Sequence, residues 1–174
     1  MTFEYIPAWD NGTLKPLEKL EVHKKGLRHK AISVFLFSGE ELLIQQRALS
    51  KYHTPGLWAN TCCTHPYWQE TSEDCAKRRL YEELGINVSE LTYKDKIEYK
   101  AEVGNDLIEN EIVDIFVCYL DKKSNVTIKL NPEEVMSTKW IKIDELISEI
   151  GKNPAHFTPW IRIYMDQHKE QITL

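Results

Sequence analysis

The apolar residues of this chain fall into two kinds of pattern. Ala31-Ile32-Ser33-Val34-Phe35-Leu36-Phe37 is almost continuously apolar, which predicts a buried strand. Ser38-Gly39-Glu40 turns the chain, and Glu41 to Arg47 returns as a second strand. Tyr93 to Val103 and Leu107 to Leu120 predict two strands around the turn Gly104-Asn105-Asp106, and Val126 to Leu130 and Met136 to Ile143 predict two more. Phe3 to Trp9 predicts a short strand ending at Asp10-Asn11-Gly12, and Pro55-Gly56 marks another turn. The helical pattern is clearest from Thr71 to Leu84, where Ala76, Leu80 and Leu84, with Cys75, form one apolar stripe. Thr71 and Asp74 have capping-box spacing there, and Gly85 supplies the stop. Pro16 to Lys24 predicts a short helix with proline in its first turn, and Asp144 to Ile150 one ended by Gly151. A last helix opens at Thr158-Pro159 with the threonine as N-cap. Helices interleaved with hairpins predict a mixed α/β sandwich rather than a doubly wound parallel sheet.

Composition narrows the function classes. The 174 residues carry no internal repeat or low-complexity linker, which predicts one domain over residues 1–174. With 42% apolar and 28% charged residues the chain is neither disordered nor collagen-like. No apolar run approaches the ~20 residues of a membrane span, and the first residues lack the pattern of a secretory signal. A cytoplasmic protein with no membrane partner is therefore expected. A net charge of −5 disfavours nucleic acid as a partner but leaves room for a small anion held by local cations. The four cysteines form no C-x-x-C pair, so reduced thiols are expected and a zinc ribbon is not.

Several groups can carry chemistry, and each has a plainer reading. Arg79 and Glu83 lie one helical turn apart, and Glu82-Glu83 before Gly85 can hold a hard divalent cation; the plainer reading is a solvated ion pair. If Asn60 to Pro66 is extended, Cys63 and His65 point to one side, as an acid/base thiol beside an imidazole or as a buried cysteine and a hydrogen-bonded histidine. Glu109 and Glu111 share one side of an apolar strand; facing inward they need a cation or a shared proton, facing outward they need nothing. Asp114 has the opposite parity and reads as a solvent-facing acid. His23 and His29 flank a basic loop, and with His65, Glu109 and Glu111 they make a donor set suited to an ion such as Zn²⁺ or Mn²⁺. His53, His156 and His168 show no partner pattern. Lys19, Arg47, Lys51 and Arg79 would mark a phosphate site if they converge.

Six segments occur in an order that resembles one family. They are Arg47-Ala48-Leu49-Ser50-Lys51, Pro55-Gly56-Leu57-Trp58, Asn60-Thr61-Cys62-Cys63-Thr64-His65-Pro66, Tyr81-Glu82-Glu83-Leu84-Gly85, Glu109-Asn110-Glu111 and Phe157-Thr158-Pro159-Trp160. Together they resemble the type 1 isopentenyl-diphosphate Δ-isomerases of the Nudix superfamily, from about Lys19 to Trp160 and beyond. The resemblance implies a Nudix-type α/β/α sandwich with a mixed sheet. Nudix hydrolases carry G-x5-E-x7-R-E-U-x-E-E-x-G-U, with U aliphatic. Glu70, Arg78, Leu80, Glu82, Glu83, Gly85 and Ile86 fit it, but Thr64 replaces the leading glycine and Arg79 the glutamate after the arginine. A cation at that position implies that a diphosphate is held rather than cut, against the alternative of a Nudix hydrolase of a nucleoside diphosphate derivative.

The resemblance further implies the role of each residue. Cys63 and Glu111 would be the acid/base groups on opposite faces of a small diphosphate substrate, with Tyr99 supporting Glu111 and Trp160 facing the hydrocarbon end. His23, His29, His65, Glu109 and Glu111 would bind one Zn²⁺ or Mn²⁺, and Glu83 would help hold Mg²⁺ on the diphosphate. Lys19, Arg47, Lys51 and Arg79 would contact its oxygens, and Cys62 would be a neighbour only. A monomer or weak homodimer is expected.

Overall fold

The structure is a computed structural model that describes residues 4–173. The chain opens as a hairpin of β1 (Tyr5–Asp10) and β2 (Thr13–Glu18), turning at Asn11-Gly12 where φ is 51° and 79°. Phe3, the first residue of the strand predicted here, lies outside the described residues. The predicted helix from Pro16 is corrected: Pro16 sits in β2 opposite Pro7. β2 ends the sheet path, and an edge strand tolerates a residue without an N–H. Helix α1 (Lys19–Lys25) begins only where the Glu18 carboxylate accepts the amides of Leu20 and Glu21.

β3 (His29–Ser38) is the spine of a nine-stranded mixed sheet. Around it follow β4 (Glu41–Arg47), β5 (Trp58–Ala59), β6 (Cys62–Thr64), α2 (Ser72–Leu84), β7 (Thr92–Glu102) and β8 (Ile108–Leu120). The chain closes with β9 (Val135–Lys142), α3 (Ile143–Lys152), α4 (Pro159–Gln167) and α5 (Lys169–Thr173). β3 runs parallel to β8 from His29↔Glu111 to Ser38↔Leu120, and on its other side meets β1, β6 and β4 antiparallel. Successive side chains of β3 enter two cores. Ala31, Phe35 and Phe37 pack with Leu146 of α3 and with Trp160, Ile161 and Tyr164 of α4. Ile32, Val34 and Leu36 pack with Cys75, Ala76, Leu80 and Leu84 of α2. This is the α/β/α sandwich, and each fully buried Leu, Ile or Phe contributes about 1.5–3 kcal/mol to it.

The ends of the helices explain the other departures from the sequence pattern. Thr71 caps α2 by accepting the Asp74 amide at 3.1 Å, and Gly85 ends it in the left-handed region at φ 66°. A Cβ on Gly85 would stand 2.8 Å from Lys129 Cβ. That closeness accounts for Val126 to Leu130, which is not the predicted strand. The Lys129 and Asn131 amides bond the last carbonyls of α2, at Leu84 and Glu83, instead of a sheet neighbour. Helix α3 continues past Ile150 to Lys152, because Gly151 keeps helical backbone and does not turn left-handed. Thr158 is the N-cap of α4 by position only: its side chain makes no cap hydrogen bond, and its amide bonds Trp58 O.

Candidate active site

The alternation along β8 decides the first open question. Glu109, Glu111, Val113, Ile115 and Val117 all face the core beneath α4, so both carboxylates are buried, at 4% and 6% exposure. Asp114 faces the other way, where Ser72 donates to it. His29, at the start of β3, stands opposite Glu111 with its Nε2 3.5 Å from the carboxylate, and His65 Nε2 lies 2.9 Å from the same oxygen. His23, on the buried side of α1, packs against both imidazoles with ring centroids 4.7 and 5.0 Å away.

Two hydrogen bonds reveal what this cluster is set up to hold. His23 Nδ1 donates to Lys19 O and His29 Nδ1 to Leu27 O, both at 2.7 Å. Each ring then presents the bare lone pair of Nε2, and both Nε2 atoms are buried without a partner. His23, His29, His65 and Glu111 each offer a ligand atom within 4.8 Å of the others, so the residues present fit a divalent cation. Electrostatics agrees. Burial and the neighbouring His29 push His23 down to about 4, and burial holds His65 well below its usual value. Burial raises Glu109, and Glu111 beside it raises it further. Burial acts on Glu111 too, but the imidazoles of His29 and His65 beside it outweigh burial and hold that carboxyl low. The Tyr99 phenol lies 2.7 Å from Glu109 and 2.8 Å from Glu111. One phenol has one proton, so without a cation both contacts are hydrogen bonds only when one carboxyl is protonated, and the raised Glu109 is the one that takes the proton.

Cys63 approaches from the other flank of β3. It pairs with Ser33 as Glu111 pairs with His29, and Ser33 and His29 share one face of β3. The thiol and the carboxylate therefore rise on either side of one strand, staggered along it, and both line a tight cleft of about 30 Å³ that Trp160 also lines. The thiol donates to Asn60 Oδ1 at 2.8 Å and contacts Ser33 Oγ at 2.8 Å, which in turn contacts the buried Tyr164 hydroxyl at 2.8 Å. Asn60 Nδ2 is tied to the Val34 and Cys62 carbonyls, which aims the Asn60 oxygen at the thiol. Burial pushes the Cys63 thiol up, so it stays protonated. Cys62 points to the opposite core, fully buried.

Lys19, Arg47, Lys51 and Arg79 converge on the same cleft, as does Glu83. Each cation is already engaged. Lys19 bonds Glu4 at 2.8 Å, Lys51 bonds Glu134 at 2.6 Å, and Arg79 bonds Glu83 at 2.7 Å and Glu134 at 3.3 Å. Arg47 donates to His53 O, and its guanidinium lies 5.3 Å from the Trp160 ring centroid. Burial pushes the Lys51 ammonium down. Glu83 accepts Gln45 Nε2 at 2.8 Å as well as Arg79.

All the predicted site residues thus come together, and sequence reasoning missed five more. Asn60, Ser33 and Tyr164 hold the thiol, Glu134 sits between Lys51 and Arg79, and His53 enters the metal cluster. The spacing from Asn60 to Cys63 was the one usable signal among them.

A NUDIX domain model matches residues 27–161. An isopentenyl-diphosphate Delta-isomerase from Dinoroseobacter shibae is 54% identical over 169 residues, 97% of this chain and 95% of the relative. One of the same name from Rhodobacter capsulatus is 55% identical over 172 residues, 99% of this chain and 97% of its own. This chain belongs to the isopentenyl-diphosphate Delta-isomerases. Among solved structures, DR0079 from Deinococcus radiodurans has a TM-score of 0.73 at 13% identity, covering 93% of this chain and 97% of that one. The MutT protein from Methanosarcina mazei Go1 scores 0.64 at 14% identity, covering 83% and 94%. Likeness at that identity shows the Nudix fold alone. The isomerase membership separates this chain from those neighbours, and Arg79 at the hydrolase glutamate position is consistent with it. No helix among the described residues is long and apolar enough to cross a membrane.

Proposed function

We propose that this isomerase interconverts isopentenyl diphosphate and dimethylallyl diphosphate by adding a proton to one carbon of the five-carbon chain and removing one from another. The observation that supports this most is the placement of Cys63 and Glu111 on the two flanks of β3, lining one cleft with Trp160. A proton added to the terminal alkene carbon leaves positive charge on the tertiary carbon. Loss of a proton from the carbon nearer the diphosphate closes the new double bond, so protons balance over the cycle. The Cys63 thiol, held protonated, is one acid/base group, and Glu111, bonded to the Tyr99 phenol, is the other. The Trp160 indole stabilises the cation, a contribution of about 2 kcal/mol or more when desolvated. Burial of the site keeps water from capturing it.

Lys19, Arg47, Lys51 and Arg79 take the diphosphate oxygens. Such anchoring orients the reacting carbons, which can contribute ~7–11 kcal/mol. His23, His29, His65, Glu109 and Glu111 would hold one Zn²⁺ or Mn²⁺, and Glu83, through its remaining lone pairs, a Mg²⁺ on the diphosphate. These ions supply positive charge to a carboxylate pair and to a substrate anion that otherwise repel. The same reading takes residues 1–174 as one domain and the protein as a cytoplasmic monomer or weak homodimer. Its four free cysteines suit a reducing compartment, and one chain supplies every residue of the site.

Isopentenyl diphosphate incubated with the protein, Mg²⁺ and Mn²⁺ or Zn²⁺ should yield dimethylallyl diphosphate with no phosphate released. Phosphate release from nucleoside diphosphate derivatives without isomerisation would identify the hydrolase alternative instead.

A further inference from the structure

His53 is the buried histidine that neither the motif nor the five-residue donor set uses. It lies in the loop before Pro55, 3% exposed, and the next residue, Thr54, adopts a positive φ of 47°. That backbone brings the imidazole into the cluster rather than out to solvent. Its Nε2 stands 3.6 Å from Glu109 Oε1, and its ring stacks on His23 with centroids 5.9 Å apart. Its Nδ1 lies 2.9 Å from Thr54 Oγ1; with that hydroxyl accepting, the proton sits on Nδ1 and the Nε2 lone pair faces inward. His23 and His29 carry the same device, with carbonyls in place of the hydroxyl. His53, His23 and Glu109 offer ligand atoms within 4.8 Å of one another, just as His23, His29, His65 and Glu111 do.

The two sets share His23, and this decides how many ions they serve. His23 Nδ1 is committed to Lys19 O, so the ring has one lone pair left. One lone pair ligates one ion. The two sets are therefore two sides of a single centre, and Glu109 reaches that centre from the His53 side. We propose that His53 is a sixth ligand of the divalent ion, so that four imidazoles and two carboxylates close the centre and leave no position for water. This rests on the metal-centre reading above. A closed centre suits an ion that fixes Glu109 and Glu111 in place rather than one that binds substrate.

The test uses the full chain loaded with Mn²⁺ in the absence of substrate. His53→Ala and the volume-filling His53→Phe are compared with wild type and with His156→Ala, a change at an exposed histidine outside the cluster. Two quantities are read: Mn²⁺ affinity by equilibrium dialysis, and water-proton relaxation by the bound ion. Losing a direct ligand should weaken Mn²⁺ at least as much as losing an outer-shell partner, about 10- to 100-fold. In His53→Ala the vacated position admits water, so relaxation per bound ion should rise above wild type. A protein that merely failed to fold would lose the bound ion and show no such rise. Wild-type affinity and relaxation in both His53 variants would overturn the sixth ligand while leaving the centre standing. Absence of tight Mn²⁺ binding in wild type itself would overturn the centre and His53 with it.

Discussion

The two ends of the cleft are built on opposite plans. At the β8 end, His23 and His29 present buried lone pairs with no partner, and Glu109 and Glu111 crowd two carboxylates around one phenol. At the α2 end every predicted phosphate-binding cation already has a partner within the chain, with Glu134 bridging Lys51 and Arg79. The first end is complete only with a cation added. The second already pairs its cations within the chain, although Arg47 and Arg79 each keep a buried Nε–H without a partner, and those internal contacts must be exchanged for a ligand. Orphaned imidazole lone pairs thus point to a resident cation, whereas internally paired cations with spare N–H donors point to an anion that comes and goes.

The difference can be broken at either end. The largest effect belongs to the acid/base pair between them: Cys63→Ala and Glu111→Gln should each lower turnover by roughly 10²–10⁴-fold or more, while Cys62→Ala should leave it measurable, as read by product formation. At the β8 end, His65→Ala or a chelator should strip the divalent ion and lower the melting temperature, followed by metal analysis and calorimetry; unchanged stability after stripping would remove the case for a resident ion. The pH dependence of the metal-free protein sharpens the same point. His23 is held at about 4 in the folded state, against about 6.5 unfolded, so the unfolded chain takes up the proton first. Stability should be full above pH 6.5 and fall as pH drops toward 4, by on the order of 3 kcal/mol from His23 alone. Bound metal should push this loss to lower pH.

At the α2 end, Arg79→Ala should raise KM about 10-fold or more with a smaller change in kcat, since a charge-assisted hydrogen bond contributes about 1.5–3 kcal/mol. Glu134→Gln should do the reverse by a few fold, because it releases Lys51 and Arg79 for the substrate. A raised KM in that variant would mean that Glu134 holds the ligand's metal rather than competing with its anion.

The parts legible in the sequence were those in which one strong local pattern decided the outcome. The apolar run of β3 and the capped stripe of α2 both form as their periodicity predicts. Pro16 misled because a proline reads alike at a helix start and in an edge strand, and only pairing with Pro7 distinguishes them. Val126 to Leu130 misled because its amides serve the end of α2, a tertiary use that no local pattern records. In the site, residues inside the motifs were legible, while those recruited across the fold were not. His53 meets Glu109 and His23 only because Thr54 takes a left-handed turn, and Ser33 meets Cys63 only through the register of β3 on β6.

The central claim, that a thiol and a carboxylate move protons across one bound five-carbon diphosphate, is tested most directly in heavy water. Proton NMR of dimethylallyl diphosphate formed by the wild type should show deuterium in a methyl group, and Cys63→Ala and Glu111→Gln should form labelled product at least about 100-fold more slowly. Unlabelled product, or label at the wild-type rate from Cys63→Ala, would contradict it.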